Sequence, residues 1–272
     1  MQPLIILVDG IVSAFARRLT PDVTWNLYRR WLERRRPELK LCHLQQHYDW
    51  LDIFSGRAEP YQELQEQMLR RLCGEVEGGD ELPDAVVFLG FSLGGLTALA
   101  LASRFDELTG GALPARLAFI TFGAPYAGTG LLDRLFAKTH ISYIERVVNL
   151  EETKRQARRL AGFAGDCCLT VLAHSIVRDE MVSPASARML TDWLYFSRQR
   201  PELQYGAFRF DPQTLFQPHN TLMQNPLAFA YIDGLLDGLL PPPPGAPGYH
   251  PPGADTIREL RAAARRLQAE AS

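Results

Sequence analysis

The fold class predicted by this sequence is α/β, with a mainly parallel central sheet covered by helices on both faces. Three observations predict it. Short apolar runs, of the kind that fill strands buried on both faces, stand at Leu4–Val8, residues 85–89 and Arg116–Phe122. Helical patterns separate them, so the order up to residue 105 reads strand, helix, strand, helix, strand, helix. The period then switches abruptly at Gly90-Phe91-Ser92-Leu93-Gly94, after which Leu93, Leu96, Leu99, Ala100 and Ser103 recur at helical spacing.

Totals agree with one large domain. A chain of 272 residues with 46% hydrophobic content can bury a sizeable core, and residues 1–240 read as a single α/β unit. A formal net charge of -2 argues against a nucleic-acid footprint. Cys42, Cys73, Cys167 and Cys168 have neither metal-ligand spacing nor the density of a disulfide scaffold. The start, MQPLIILVDGI, lacks a positive n-region and meets Asp9 too soon for a signal peptide, and no apolar run is long enough to cross a bilayer. The expectation is a soluble, cytoplasmic protein.

The first strand, Leu4–Val8, ends at Asp9-Gly10. Thr20-Pro21-Asp22 is a helix-start signal. Behind it Trp25, Leu27, Tyr28, Trp31 and Leu32 alternate with Arg29, Arg30, Arg34, Arg35 and Arg36, which predicts a helix with aromatic residues on the sheet and arginines in water. Such a face would also suit an acidic ligand or peripheral contact with an anionic membrane. Residues 39–44 read as the second strand, 48–54 as a loop with an aromatic lining, and 61–72 as a helix with Leu64, Met68, Leu69 and Leu72 on one side. Gly78-Gly79-Asp80 opens a polar loop before the third strand.

Arg116–Phe122 is the next strand, and the loop Gly123 to Gly128 leaves its carboxyl end, where open α/β sheets build sites. Residues 131–163 read as helical, either a cap over a site or a crossover between strands. Residues 167–173 form a strand whose exit loop, HSIVRDEMVSP, carries Asp179. A helix at 189–196, a last strand at 205–210 and a loop containing His219 lead to the apolar stretch 222–240. Residues 241–272 read as a proline-rich linker followed by a short charged helix.

Ser92 is the candidate nucleophile. A strand passes into a helix over so few residues only if the turning residue is strained, and Gly90 and Gly94 are expected where side chains would collide with that turn. A serine hydroxyl needs an imidazole to take its proton and a carboxylate to orient the ring. With a serine on such an elbow the order along the chain is serine, acid, histidine. Only His219 and His250 follow the acid loop, and His250 sits in the proline-rich linker, so His219 is the expected base. Asp179 is the first choice of acid, with Asp166, Glu180 and Asp211 as alternatives; His174 precedes it and is at most a supporting group. Backbone N–H groups of Gly10, Ile11 and Val12 are natural oxyanion donors, Ile11 first among them.

On these residues the chain resembles the α/β-hydrolase superfamily, and within it the lipases and esterases. GFSLGG resembles the lipase elbow, and Thr121-Phe122-Gly123-Ala124-Pro125 with Gly128 and Thr129 resembles the T-x-G-[TA]-P-x-x-G-[ST] stretch after the next strand. Asp179 to Pro184 resembles the acid loop D-x-x-V-x-P, and His219 to Leu222 the histidine loop H-x-x-L. The resemblance covers about residues 4–240. It implies a triad of Ser92, Asp179 and His219, oxyanion donors from the backbone of Leu93 and Ile11, and neither metal nor organic cofactor. The activity implied is hydrolysis of carboxylic esters with lipid-like or other apolar acyl groups, lined by Phe91, Tyr126 and Leu131 together with Leu93, Leu132 and Phe136. The same triad would serve a thioesterase or an acyltransferase, and the same scaffold a non-catalytic binding protein. One residue departs from the pattern: Asp9 stands where many relatives have histidine or proline, and a carboxylate there opposes charge on an oxyanion.

Overall fold

The structure is a computed structural model that describes residues 2–10, 25–45, 59–77, 82–129, 149–195, 202–213 and 218–240. Its strands are β1 (Leu4–Val8), β2 (Lys40–Leu44), β3 (Ala85–Phe91), β4 (Arg116–Phe122), β5 (Cys168–Ile176) and β6 (Leu203–Phe210). They form one sheet in the order β2-β1-β3-β4-β5-β6, and every neighbouring pair is parallel. Parallel neighbours require crossovers, and the crossovers here put helices on both faces.

Side chains alternate across the sheet and so divide the core into two layers. Leu4, Ile6 and Val8 of β1 and Val86 and Phe88 of β3 point toward α2 (Glu59–Glu77), α3 (Leu93–Ala102), α4 (Phe105–Leu108), α5 (Leu150–Gly162) and α6 (Pro184–Leu194). Ile5, Leu7, Val87, Leu89 and Phe91 face the other way, toward α1 (Asn26–Arg35) and α8 (Pro226–Leu239). A short helix α7 (Pro218–Thr221) and the 3₁₀ turn Leu222–Gln224 lead into α8.

Several boundaries differ from the sequence reading, each for a local reason. β3 extends through Gly90 and Phe91, which pair with Thr121 and Phe122. β5 begins one residue later than expected, leaving Cys167 outside, and runs on to Ile176, because His174, Ser175 and Ile176 pair with Phe208, Arg209 and Phe210. The exit loop therefore starts at Val177. α6 starts at Pro184 instead of residue 189, because Ser183 Oγ accepts the Ser186 N–H at 3.1 Å and proline occupies the first turn.

In α1, Tyr28 and Leu32 are buried as the aromatic stripe predicts. Arg30, Arg34 and Arg35 are exposed as expected, while Arg36, just past the helix, is more enclosed: Arg35 Nε lies 2.7 Å from Asp233 Oδ2, Arg36 Nε 3.0 Å from Asp233 Oδ1, and Arg36 also pairs with Asp237. Tyr28 packs on Phe229 of α8 with ring centroids 5.3 Å apart, and burial, reinforced by the Asp233 charge, pushes its phenol well above the usual range. Of the stretch 131–163, only 149 onward is described. There α5 is capped by Asn149, whose side chain accepts the Glu152 N–H, and buries Ala157, Leu160 and Ala161 in the layer shared with α3 and α6. The helix-start signal at 20–22, the loops at 48–54 and 78–80, and the tail 241–272 lie outside the described residues. Among the described residues no helix is long and apolar enough to cross a membrane.

Candidate active site

The site is assembled at the carboxyl rim of the sheet, where β3 turns into α3. Ser92 sits at the junction with φ 52° and ψ -132°, a left-handed conformation that a non-glycine residue adopts only when its surroundings force it. Two things force it. The Ser92 N–H donates to Phe122 O at 2.9 Å, which ties the turn to β4, and the Gly95 N–H donates back to Ser92 O at 2.9 Å. The serine side chain makes no capping bond to its own helix.

The glycines flanking this turn are both required, Gly90 for the reason the motif suggested and Gly94 for another. A Cβ on Gly90 would come within 2.7 Å of Gly95 Cα, a collision inside the elbow as expected. A Cβ on Gly94 would lie 2.3 Å from Asp9 O and 2.4 Å from Val8 O. Gly94 is therefore a contact between the elbow and the end of β1. That second constraint fixes the serine relative to two neighbouring strands at once.

Asp179 and His219 meet at the same rim. Asp179 follows β5; its Oδ1 accepts the backbone N–H groups of Met181 at 2.8 Å and Val182 at 2.9 Å, and its Oδ2 lies 2.9 Å from His219 Nδ1. Both side chains are enclosed, with exposures of 0% for Asp179 and 4% for His219. Because Nδ1 faces a carboxylate, it carries the ring proton, which leaves Nε2 with its lone pair. The His219 backbone N–H donates to Glu180 Oε2 at 3.2 Å, so of two adjacent carboxylates one holds the ring and the other its main chain.

Two contacts set the imidazole beside the elbow. Its ring lies 4.9 Å from that of Phe91, the residue before Ser92. Its Cε1 is 3.0 Å from where a Cβ on Gly123 would stand, and Gly123 follows Phe122, whose carbonyl holds the serine N–H. Gly123 has φ +55°, and a Cβ there would also meet Asp179 Oδ2 at 3.1 Å. Nothing in the sequence marked Gly123 as the floor of the histidine–aspartate pair, although it belongs to the stretch that carries the resemblance. Chemically the arrangement offers a half-buried hydroxyl on a strained turn, a neighbouring imidazole with an available lone pair, and a buried carboxylate orienting it.

No family model matches the chain, and no curated protein matches it significantly in sequence. Solved structures match the fold. A Lactobacillus plantarum protein, described as a proposed cell surface hydrolase, aligns with a TM-score of 0.53 at 14% identity over 98% of each chain. The chain has the α/β-hydrolase fold. The product of the Listeria innocua gene lin2722 gives a TM-score of 0.53 at 11% identity over 89% of this chain and 96% of its own. Pyrococcus horikoshii acylaminoacyl peptidase gives 0.51 at 12% identity, covering 95% of this chain and 39% of that one.

Within this α/β-hydrolase fold the remaining predicted site residues fall in different places. Leu93 opens α3, so its N–H has no acceptor within the helix. Phe91 and Tyr126 are 5% and 0% exposed; Phe91 backs His219, and Tyr126 donates its hydroxyl to Thr121 Oγ1 at 3.1 Å and meets Trp193 edge-on. Ile11, Leu131, Leu132 and Phe136 lie outside the described residues. Of the alternative acids, Glu180 Oε2 accepts the His219 main-chain N–H, and Asp211 Oδ1 accepts the Gln213 N–H at 2.9 Å. His174 is buried between Phe122 and Phe208, with Nδ1 3.2 Å from Thr121 O and Nε2 2.9 Å from Tyr231 Oη. Burial lowers it to about 3, so it is a neutral core histidine.

Asp9, the residue at odds with the motif, is bonded to β2 and to the head of α1. Its Oδ1 accepts the Trp25 N–H and a bond from His43 Nε2, each at 2.9 Å, and the side chain is 0% exposed. Among the described residues no group of three or more histidine, cysteine, aspartate or glutamate side chains could hold a metal ion.

Proposed function

We propose that the protein is a serine hydrolase of carboxylic esters, with Ser92, His219 and Asp179 as its triad and no cofactor. The observation that carries the reading is the bonded Asp179–His219 pair set against Phe91 and Gly123, the two residues that border the strained serine and its anchor. Ser92 Oγ attacks the ester carbonyl carbon and passes its proton to His219 Nε2, while the carbonyl electron pair moves onto oxygen. The N–H of Leu93 and a second donor from the loop after β1, Ile11 by first choice, receive that oxyanion. Collapse breaks the bond to the alcohol oxygen, which takes the proton from the imidazolium and departs, leaving an acyl-serine. Water, deprotonated by Nε2, attacks the acyl carbon, and the bond to Ser92 Oγ breaks as Oγ takes that proton back from the imidazolium, releasing the acid.

Apolar acyl esters are the first substrates to test, given the apolar residues that the sequence clusters around the elbow. A fluorophosphonate probe should label the native protein and not Ser92→Ala. A panel of p-nitrophenyl esters from short to long acyl chains, with a p-nitroanilide beside them, then ranks ester over amide. Well-folded native protein that neither labels nor turns over any member of the panel would exclude the proposal.

A further inference from the structure

The end of β1 holds a second carboxylate–imidazole pair that the proposed reaction does not use. Asp9 and His43 stand at the carboxyl ends of neighbouring strands, Val8 pairing with Leu44 in register, and the Asp9 N–H donates to Leu44 O at 3.2 Å. The Asp9 carboxylate accepts from two elements at once: His43 Nε2 on β2 and the main-chain N–H of Trp25 at the head of α1. Trp25 is bound a second time to the same strand end, its indole Nε1–H donating to Val8 O at 2.9 Å. Trp25 and Asp9 are 16 positions apart, so these bonds close the intervening chain at its root.

That root borders the catalytic turn. Gly10 lies against the elbow: a Cβ there would stand 3.0 Å from Ser92 Cβ and 3.1 Å from Phe91 O. Asp9 O and Val8 O meanwhile occupy the space that a Gly94 side chain would need. The residue whose carboxylate is clamped is thus the one whose main chain touches the elbow at Gly94 and leads into Gly10 beside the serine. The clamp also engages one carboxylate oxygen from β2 and from the head of α1, where two donors meet it.

We infer that Asp9 and His43 are positioning residues for the oxyanion site: their bond fixes the chain at Gly10 against Ser92 and holds the aspartate charge off the developing oxyanion. The inference rests on the serine-hydrolase reading. It explains why a residue type that opposes oxyanion formation stands at the mouth of that loop, since a buried carboxylate with two donors is a rigid anchor where an unbonded one would be an electrostatic fault.

The test compares His43→Leu, His43→Gln and Asp9→Asn with the native protein. Leucine removes the donor; glutamine returns an N–H near the position of Nε2; asparagine keeps an acceptor oxygen without the charge. For p-nitrophenyl ester turnover, His43→Leu should lower kcat on the order of tenfold with KM changed less than twofold, the size expected when an oxyanion donor is displaced instead of removed. Affinity for a boronic acid, which mimics the tetrahedral intermediate, should fall in parallel, while affinity for the product acid should not. His43→Gln should restore most of both. Asp9→Asn should fall between native and His43→Leu, and serves as the second variant where His43→Leu does not fold. Folded variants that lose melting temperature but keep kcat and boronic acid affinity would overturn the inference alone. A native protein inactive toward esters and fluorophosphonate would overturn the hydrolase reading and this inference with it.

Discussion

Among the described residues, two aspartate–histidine pairs stand at the rim of this sheet, and they differ in which imidazole nitrogen meets the carboxylate. In Asp179–His219 it is Nδ1, the nitrogen nearer the main chain, so Nε2 is left at the outer end of the ring with its lone pair. In Asp9–His43 it is Nε2, so the outer end of that ring is already committed to Asp9. The carboxylates differ in the same sense. Asp179 has one oxygen held by its own loop and the other given to histidine, whereas one oxygen of Asp9 ties together β2 and the start of α1. Under the proposed mechanism the same two residue types make a proton acceptor in one place and a structural clasp in the other, and the bonded atom decides which.

Substitutions that break one pair should separate these roles, beginning with the largest effect. His219→Gln should lower ester turnover by at least about 10⁴-fold with little change in KM, and Asp179→Asn by about 10³- to 10⁴-fold, because the ring loses the partner that sets its tautomer. Turnover within tenfold of native for His219→Gln, measured by spectrophotometric assay, would assign the proton transfer to another group. Gly123→Ala comes next. Its Cβ would press on His219 Cε1 and Asp179 Oδ2 from a backbone at φ +55°, so a fall in kcat of roughly 10- to 100-fold is expected, with a loss of about 1–3 kcal/mol in urea unfolding. An alanine variant with native kcat would mean that the pair can shift without cost.

A third histidine sharpens the contrast, because the partners of His174 are a carbonyl, a tyrosine hydroxyl and aromatic rings, with no carboxylate bonded to its nitrogens. Burial lowers it from 6.5 to about 3, so between those values the unfolded chain takes up a proton that the folded protein refuses. The stability it contributes is complete above pH 6.5 and is lost as pH falls through that window, with a slope of at most about 1.4 kcal/mol per pH unit. His174→Gln should flatten the acid limb of a urea-unfolding series taken from pH 7 to pH 4; identical slopes would mean that His174 does not carry it. The smallest effect is chemical. Burial pushes the Cys167 thiol up to about 12, so alkylation by iodoacetamide at pH 8 should spare Cys167 in the native protein and reach it after unfolding.

Much of this arrangement was readable in the chain, and the limits of reading have physical causes. β1 and β4 begin and end where apolar runs do, since strands buried on both faces have no polar alternation to blur their ends. The serine, acid and histidine loops were legible because each combines a chemical group with turn residues. β5 reads as ending before His174 because a histidine looks polar in sequence, whereas here it is sealed between two phenylalanine rings and a tyrosine hydroxyl. Asp9 reads as an electrostatic problem because its partners, Trp25 and His43, come from elements that only the folded sheet brings to it. Gly94 is expected for the serine's sake, and the strand end it packs against lies more than eighty positions earlier in the chain.

The clasp between Arg35, Arg36 and Asp233 also constrains the order in which the molecule is completed. α1 lies near the start of the chain, yet the carboxylate that neutralises its guanidinium groups and the Phe229 ring that covers Tyr28 belong to the last described helix. During synthesis α1 must wait, its aromatic face uncovered, until Phe229 and Asp233 have left the ribosome. A fragment ending before Pro226 would keep every strand of the sheet and still leave that early surface bare, which makes it a candidate for chaperone capture.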